Sequence, residues 1–400
     1  MFDKIVLRRS ASGMPITAGQ LAEALLYYQN VHVVIDHGTF RSLAKAIGIS
    51  TTLGLLRRPG VSAVHCEESV GTHTESVGAF QIHSYLAFSF AGNEKAGGTL
   101  PTRQQRLAYL LEEEGTEKKA ARRFAERFCE LVPVRRLTGD HYIKGGVTFA
   151  AKADLEDAGY VTSAIKAALA AIPGGTTEAA NLKFDVIDSD LGLHVFTNID
   201  LDAINRRRAT LRPVEDPVTV ALFLSYLLDA RTDLSLASFY GGDFATSAVT
   251  SAVLQVRYSE LLKRSGLHAR ATEAFTEVVL PDTPSLREVI DSGQRSFQEF
   301  LILLDKADRF KHWLKGVNPD EGLVRTYLSD VSSDGWIQRL PAKSIRYVIT
   351  SALDKLDPVA GVLAGLADNF LVEKLLGGWR PNHFVDSRLR PFIESGAGDA

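Results

Sequence analysis

Apolar and polar positions change their period along this 400-residue chain. In the first half, short β-branched runs alternate with stretches of helical period. Lys4–Arg8, Val31–Asp36 and Val61–Glu67 read as strands. Between the first two, Thr17–Tyr28 places Leu21, Leu25 and Tyr28 on one helical face, with Thr17 positioned as the N-cap. Thr39–Ile47 reads as a helix closing on Gly48, and Thr51–Arg58 as a second one ending at Pro59-Gly60. Phe80–Phe90 alternates: Phe80, Ile82, Leu86, Phe88 and Phe90 share one face, and Gln81, His83, Tyr85 and Ser89 the other. That pattern predicts a half-exposed antiparallel strand. Pro101–Leu131 predicts a helical hairpin broken near Gly115, and Ala150–Ile172 a helix stopped by Pro173. Leu182–Ile187 and Leu193–Ile199 flank a turn signal, predicting a β-hairpin with Gly192 at positive φ.

From about residue 211 strand signals fade and helix starts become explicit. Asp216-Pro217, Asn318-Pro319 and Asp357-Pro358 each set a capping acceptor before a proline, which suits the first helical position because its N–H would be unpaired there. Ser285 and Glu288 fit a capping box. Helices are expected over 218–229, 244–264, 286–292, 297–315, 321–330, 342–356 and 359–376. The fold class expected is therefore an α+β (mixed α/β) domain over 1–210, with an inserted helical hairpin near 101–131, followed by an all-α domain over 211–400. The boundary is placed in Ala209–Pro213.

Composition adds limits rather than identity. Hydrophobic residues form 45% of the chain and charged residues 23%, which supports a sizeable core. A net charge of −3 gives no whole-chain attraction to nucleic acid or anionic membranes. The two cysteines, Cys66 and Cys129, form no disulfide framework and no zinc motif, which fits a reducing cytoplasm. The N-terminal residues lack a signal-peptide pattern, and no long apolar run predicts a constitutive membrane span.

Four groups of residues are candidates for function. His32, His37, His65, His73 and His83 cluster within the first quarter of the chain, accompanied by Asp36, Glu67 and Glu75. Asp36, His37, His65, Glu67 and His73 are the candidate catalytic set: histidine and carboxylate together can bind a divalent metal or act as a base and its orienting acid. Against this, no HxH or HExxH spacing occurs, and Asp36 equally suits the cap of the next helix. Lys119, Arg123 and Arg127 recur at i, i+4 and i+8 and make a basic stripe that could take phosphates or another polyanion. Nearby glutamates could instead pair with it. Tyr240-Gly-Gly-Asp-Phe244 reads as a glycine turn with Asp243 capping a long helix. Pro358–Leu376 is an apolar helix with Gly361 and Gly365 spaced for close packing, read as the buried centre of the helical domain.

No nucleophile or cofactor-loop motif stands out. The leading expectation is a soluble cytoplasmic interaction or adaptor protein whose helical domain contacts a protein partner or a second copy. Nucleic acid is an additional candidate partner through the basic stripe. One alternative is a hydrolase, a metal-dependent phosphoesterase or nuclease, which would call for a divalent metal. The other is a membrane-active effector that releases the Pro358–Leu376 helix.

Overall fold

The computed structural model describes residues 2–10, 15–78, 80–175, 181–211, 216–281, 283–317, 323–324, 326–327 and 379–394, with backbone alone for 258–270. Its strands are β1 (Lys4–Arg8), β2 (Asn30–Ile35), β3 (Val61–Cys66), β4 (Glu68–Val77), β5 (Phe80–Ser89), β6 (Gly92–Asn93), β7 (Gly98–Thr99), β8 (Val134–Arg135), β9 (Phe184–Ser189), β10 (Gly192–Thr197) and β11 (Asp243–Phe244). Its helices begin with α1 (Ala18–Tyr27), α2 (His37–Ile47), α3 (Ile49–Leu56), α4 (Arg103–Glu113), α5 (Lys118–Leu131), α6 (Gly146–Asp154), α7 (Ala158–Ala171) and α8 (Leu201–Leu211). They continue with α9 (Val220–Tyr240), α10 (Ala248–Val279), α11 (Leu286–Asp291), α12 (Phe297–Leu304) and α13 (Asp308–Gly316). A mixed α/β region is thus followed by a helical one, as the sequence pattern anticipates. The 342–356 and 359–376 helices expected from sequence lie outside the described residues.

Contacts gather the chain into two compact units. One comprises 5–16 and 32–263; the other comprises 1–4, 17–31 and 264–400. In the first, a five-stranded sheet has the order β11-β1-β2-β3-β8, with β11 parallel to β1 and β8 parallel to β3. A four-stranded antiparallel sheet has the order β4-β5-β10-β9. Strand β1 carries Ile5, Val6 and Leu7 into the core, and Gly192 takes φ +130° at the β9–β10 turn as expected.

Helix α9 explains how the two sheets share one unit. Leu228 and Leu236 pack with Val6, Val34, Val64 and Cys66 of the parallel sheet. Phe223, Leu224, Leu227 and Ala230 pack with Phe184, Leu193 and helix α7. A helix covered on every side has no need of an amphipathic pattern, and α9 is apolar around most of its circumference. Its cap is Thr219, whose hydroxyl accepts from the Leu222 N–H at 3.2 Å. That replaces the cap expected at Asp216-Pro217, because the helix starts three residues later than a proline at its first position would require.

Two further expectations change. Asp243 does not cap a helix: Gly241 ends α9 at φ +66°, and Asp243 and Phe244 pair with Ile5 and Val6. The Ser247 hydroxyl instead accepts from the Thr250 N–H near the start of α10. The Phe80–Phe90 alternation is present, but the face carrying His83 and Tyr85 turns inward. Tyr85 donates to Leu224 O at 3.0 Å, and Thr74 bonds His83 Nδ1 at 2.9 Å. Phe80 and Leu86 point outward, Ile82 is buried, and Phe88 lies half-exposed at the end of the strand.

The other unit is organised around aromatic packing. Phe275 meets Tyr27 and Tyr327, and Phe310 stacks on Trp313 and Phe384. Helix α1 is capped by Thr17 as the sequence indicates, and Asp291 on α11 accepts from both the Thr17 hydroxyl and the Gly19 N–H. A side chain at position 19 would lie 2.3 Å from the Arg287 carbonyl oxygen, so glycine permits this approach.

Within the sheet-bearing unit, the end of β1 is fastened by charge. The Arg8 guanidinium donates to Asp229 Oδ1 and to Asp233 Oδ1, each at 2.6 Å, with all three side chains buried. Arg8→Met leaves two carboxylates without their cation and is expected to cost about 3–5 kcal/mol. The triple variant with Asp229→Leu and Asp233→Leu should recover most of that loss, since apolar replacement of a whole buried ion group is often neutral. Urea unfolding of the two proteins measures both numbers.

Candidate functional site

The carboxyl ends of the parallel strands meet around a cavity of about 280 Å³. It is lined from β1 and the residues after it by Arg8, Arg9 and Ser10, from β2 by Val34 and Asp36, and from β3 by Cys66. Glu68, Ser69, Val70, Gly71 and Thr72 come from β4, Phe88 from β5, Leu137 from the segment after β8, and Ser225 from α9. The side of β1 facing β11 is where the strand order reverses, since β2, β3 and β8 extend the sheet in the opposite direction. Open α/β sheets bind ligands outside the carboxyl ends of their strands, and this cavity lies at the ends of β1, β2 and β3, beside that reversal rather than at it.

Each polar group in the cavity has a defined holder. Asp36 follows β2 directly and caps α2: its Oδ1 accepts from the Thr39 N–H at 2.7 Å. Its Oδ2 accepts from the Ser69 hydroxyl at 3.1 Å and lies 3.9 Å from Arg9 Nη1. Glu68 accepts from the Leu137 and Thr138 N–H groups at 3.0 and 3.1 Å, which ties the segment after β8 to β4. Ser225 donates to the Thr72 hydroxyl at 3.0 Å. Burial pushes the Cys66 thiol up to about 12, partly offset by its contact with the Tyr142 hydroxyl at 4.0 Å. At neutral pH Cys66 is a thiol, so it contributes packing rather than a thiolate nucleophile.

The candidate catalytic residues do not assemble as one group. Asp36 faces the cavity, but the next residue, His37, turns to the opposite side of the sheet. There its ring lies 5.7 Å from that of His65 and 6.0 Å from Phe90. His65 is fully buried against Phe128, at 5.7 Å in an edge-to-face arrangement. Glu67 is on this side too, bonded to Arg106 of α4 at 2.6 and 3.0 Å. His73 is exposed on β4, in register with Ser84 on the outward face of the antiparallel sheet. His32 stacks on Tyr240 at 3.7 Å and bonds Ser62 at 2.8 Å. Among the described residues, no three histidine, cysteine, aspartate or glutamate side chains gather as a metal site. Lys119, Arg123 and Arg127 are exposed along the outer face of α5 and form no ion pair among the described residues. The expected pairing with neighbouring glutamates is therefore not made there: Glu114 pairs with Arg41, and Glu117 caps its own helix.

Sequence reading missed Ser69, Glu68, Thr72 and Ser225, and the part played by Arg8 and Arg9. A usable signal was present on α9. Ser225, Asp229 and Asp233 recur every four residues inside a largely apolar helix, which marks a buried polar stripe needing partners.

Burial sets the protonation of the histidine pair. His65 is pushed down to about 2 by desolvation first, then by the positive charge of Arg103 and by His37 and Arg106. Desolvation also lowers His37, against the opposing pull of Glu67 and Asp36. In the unfolded chain His65 titrates near its ordinary 6.5. Between these values the unfolded chain takes a proton that the folded one refuses. Stability is therefore complete above pH 6.5 and declines as pH falls towards 2. His65→Leu removes this contribution: on going from about pH 7.5 to about pH 5, the natural protein should lose roughly 1–2 kcal/mol more than the variant. Urea midpoints at the two pH values test it, and equal losses would refute it.

Comparison with family models, with curated proteins and with solved structures finds no match to this chain.

Proposed function

We propose that the protein binds a small polar molecule in the cavity at the carboxyl edge of the parallel sheet, with Asp36 as the anchoring carboxylate. The observation carrying this reading is the convergence of Arg9, Ser10, Asp36, Ser69, Thr72 and Ser225 on one cavity at the carboxyl ends of β1, β2 and β3. The hydrolase expectation continues here in a narrower form. Of the five residues expected to be catalytic, Asp36 alone lines this cavity, and a carboxylate in that position can take the proton of an attacking water.

Asp36→Asn keeps an N-cap acceptor for α2, since asparagine caps as well as aspartate. The variant should therefore keep its thermal midpoint while losing about tenfold in affinity, or about 1.4 kcal/mol, for any cavity ligand. A small-molecule fragment screen by protein-observed NMR supplies the measurement. Hits are expected to shift the amides of Val70, Gly71 and Thr72, and a screen whose hits all spare these amides would defeat the reading.

A protein-partner reading is favoured by a separate observation. The outward face of the antiparallel sheet displays Phe80 at 65% exposure, Ile187 at 54% and Phe196 at 53%, beside Leu86. Apolar surface gathered on one sheet face suits contact with a second copy of the chain. This moves the expected partner surface from the helical half to the sheet. The stripe of Lys119, Arg123 and Arg127 supports nucleic acid as an additional partner in this reading. Phe80→Ser combined with Phe196→Ser should change stability by less than about 1 kcal/mol, because both rings are exposed already. Sedimentation should show weaker self-association of that variant; unchanged association would remove the sheet face from consideration.

The membrane-effector alternative rests on Pro358–Leu376, which lies outside the described residues. Among the described residues no helix is long and apolar enough to cross a membrane.

A further inference from the structure

We infer that the cavity selects an uncharged, hydroxyl-bearing ligand of sugar or nucleoside type over the corresponding phosphate ester; this rests on the small-molecule reading above. The first support is the balance of charge. Arg8 is committed to Asp229 and Asp233, and Arg9 stands 3.9 Å from Asp36. Glu68 also lines the cavity, with Arg136 at 3.8 Å. Three cations, Arg8, Arg9 and Arg136, thus stand against four carboxylates, Asp36, Glu68, Asp229 and Asp233. Burial raises the Asp233 carboxyl towards its neutral form, against the pull of Arg8. Even with Asp233 neutral, the balance reaches zero and never becomes positive. A phosphate group entering this space would lose its hydration with no net cation to replace it.

The second support is the type of hydrogen-bonding group on offer. An ionised carboxylate such as Asp36 accepts only, and it can take bonds from neighbouring hydroxyls of one ligand. Ser10, Ser69, Thr72 and Ser225 add hydroxyl groups that both donate and accept. Phe88 supplies a flat apolar surface in the same lining, against which a sugar ring or a base can lie. Asp36 also occupies the end of the second strand of the sheet, where doubly wound domains place an acid to receive ribose hydroxyls. The segment after β1 reads Arg9-Ser10-Ala11-Ser12-Gly13, without the spaced glycines that bring backbone N–H groups against a pyrophosphate. Acceptors for hydroxyls are present while a phosphate cradle is lacking in the sequence at the corresponding place. A volume of about 280 Å³ suits a ligand of one or two rings rather than a dinucleotide.

The experiment uses matched pairs on the intact chain: adenosine with adenosine 5′-monophosphate, and glucose with glucose 6-phosphate, followed by saturation-transfer NMR and titration. At least one neutral member should bind, its phosphate ester should bind about tenfold more weakly, and both Asp36→Asn and Phe88→Ala should weaken the neutral ligand about tenfold. Phe88 is half-exposed, so its truncation leaves the fold in place. Phosphate esters binding as tightly as their neutral partners would overturn the inference while leaving the cavity a binding site. Failure of both neutral members to bind also overturns it, and the fragment screen then decides separately whether the cavity binds any small molecule. Neutral binding that survives both substitutions would place the ligand elsewhere and overturn it as well.

Discussion

The buried guanidinium of Arg8 is the constraint around which the sheet-bearing unit is built. It ends a strand whose preceding residues, Ile5, Val6 and Leu7, are all in the core, and its own side chain is almost wholly buried. A charge in that position is tolerable only with ionised partners and filled donors. Asp229 and Asp233 supply the partners, and the backbone carbonyls of Asp229 and Arg9 take further donors. Because the two aspartates lie one turn apart on α9, this requirement fixes both the rotation of that helix and its height along the end of β1.

Two consequences follow from the orientation of α9. The same turn-by-turn stripe brings Ser225 to the cavity and to Thr72, so the first strand and the antiparallel sheet are joined through one helix face. The apolar remainder of α9 is then divided between two cores, one with the parallel sheet and one with α7, β9 and β10. The cavity remains polar because the groups around it come from strand ends and from this stripe, where side chains are already bonded in pairs. A polar cavity assembled in this way is costly to alter piecemeal, since removing one partner strands the other.

Much of the local structure was legible. Thr17, Gly48, Ser285 and Gly192 act as the caps and turn residues that their chemistry suggests, and the α4–α5 hairpin breaks at Gly115. These signals are local because capping and positive φ depend on a few neighbouring residues. The β5 alternation was legible as a period but not as a direction. Period two separates the faces without saying which is buried. Tyr85 and His83 turn inward because Leu224 O and Thr74 satisfy their polar atoms, whereas Phe80 and Leu86 stay exposed. The Asp36-His37 pair shows the same limit. Adjacent residues at a strand-to-helix junction leave the backbone on different sides, so their proximity in sequence placed one in the cavity and the other against His65.

The amino-acid sequence by itself determined several caps and turns, that a mixed α/β region precedes a helical one, and that Asp36 closes a strand and caps a helix. Each of these is set by interactions within a few residues along the chain. It did not give β4, α8 or the far ends of α9 and α10. Tertiary structure alone decided that Arg8 meets Asp229 and Asp233, more than two hundred residues away in the chain. It also decided which face of β5 is covered, and which of the clustered histidines and carboxylates share a space. Those outcomes depend on how layers stack, and stacking is governed by the summed burial of apolar area and the pairing of buried charge across the whole unit.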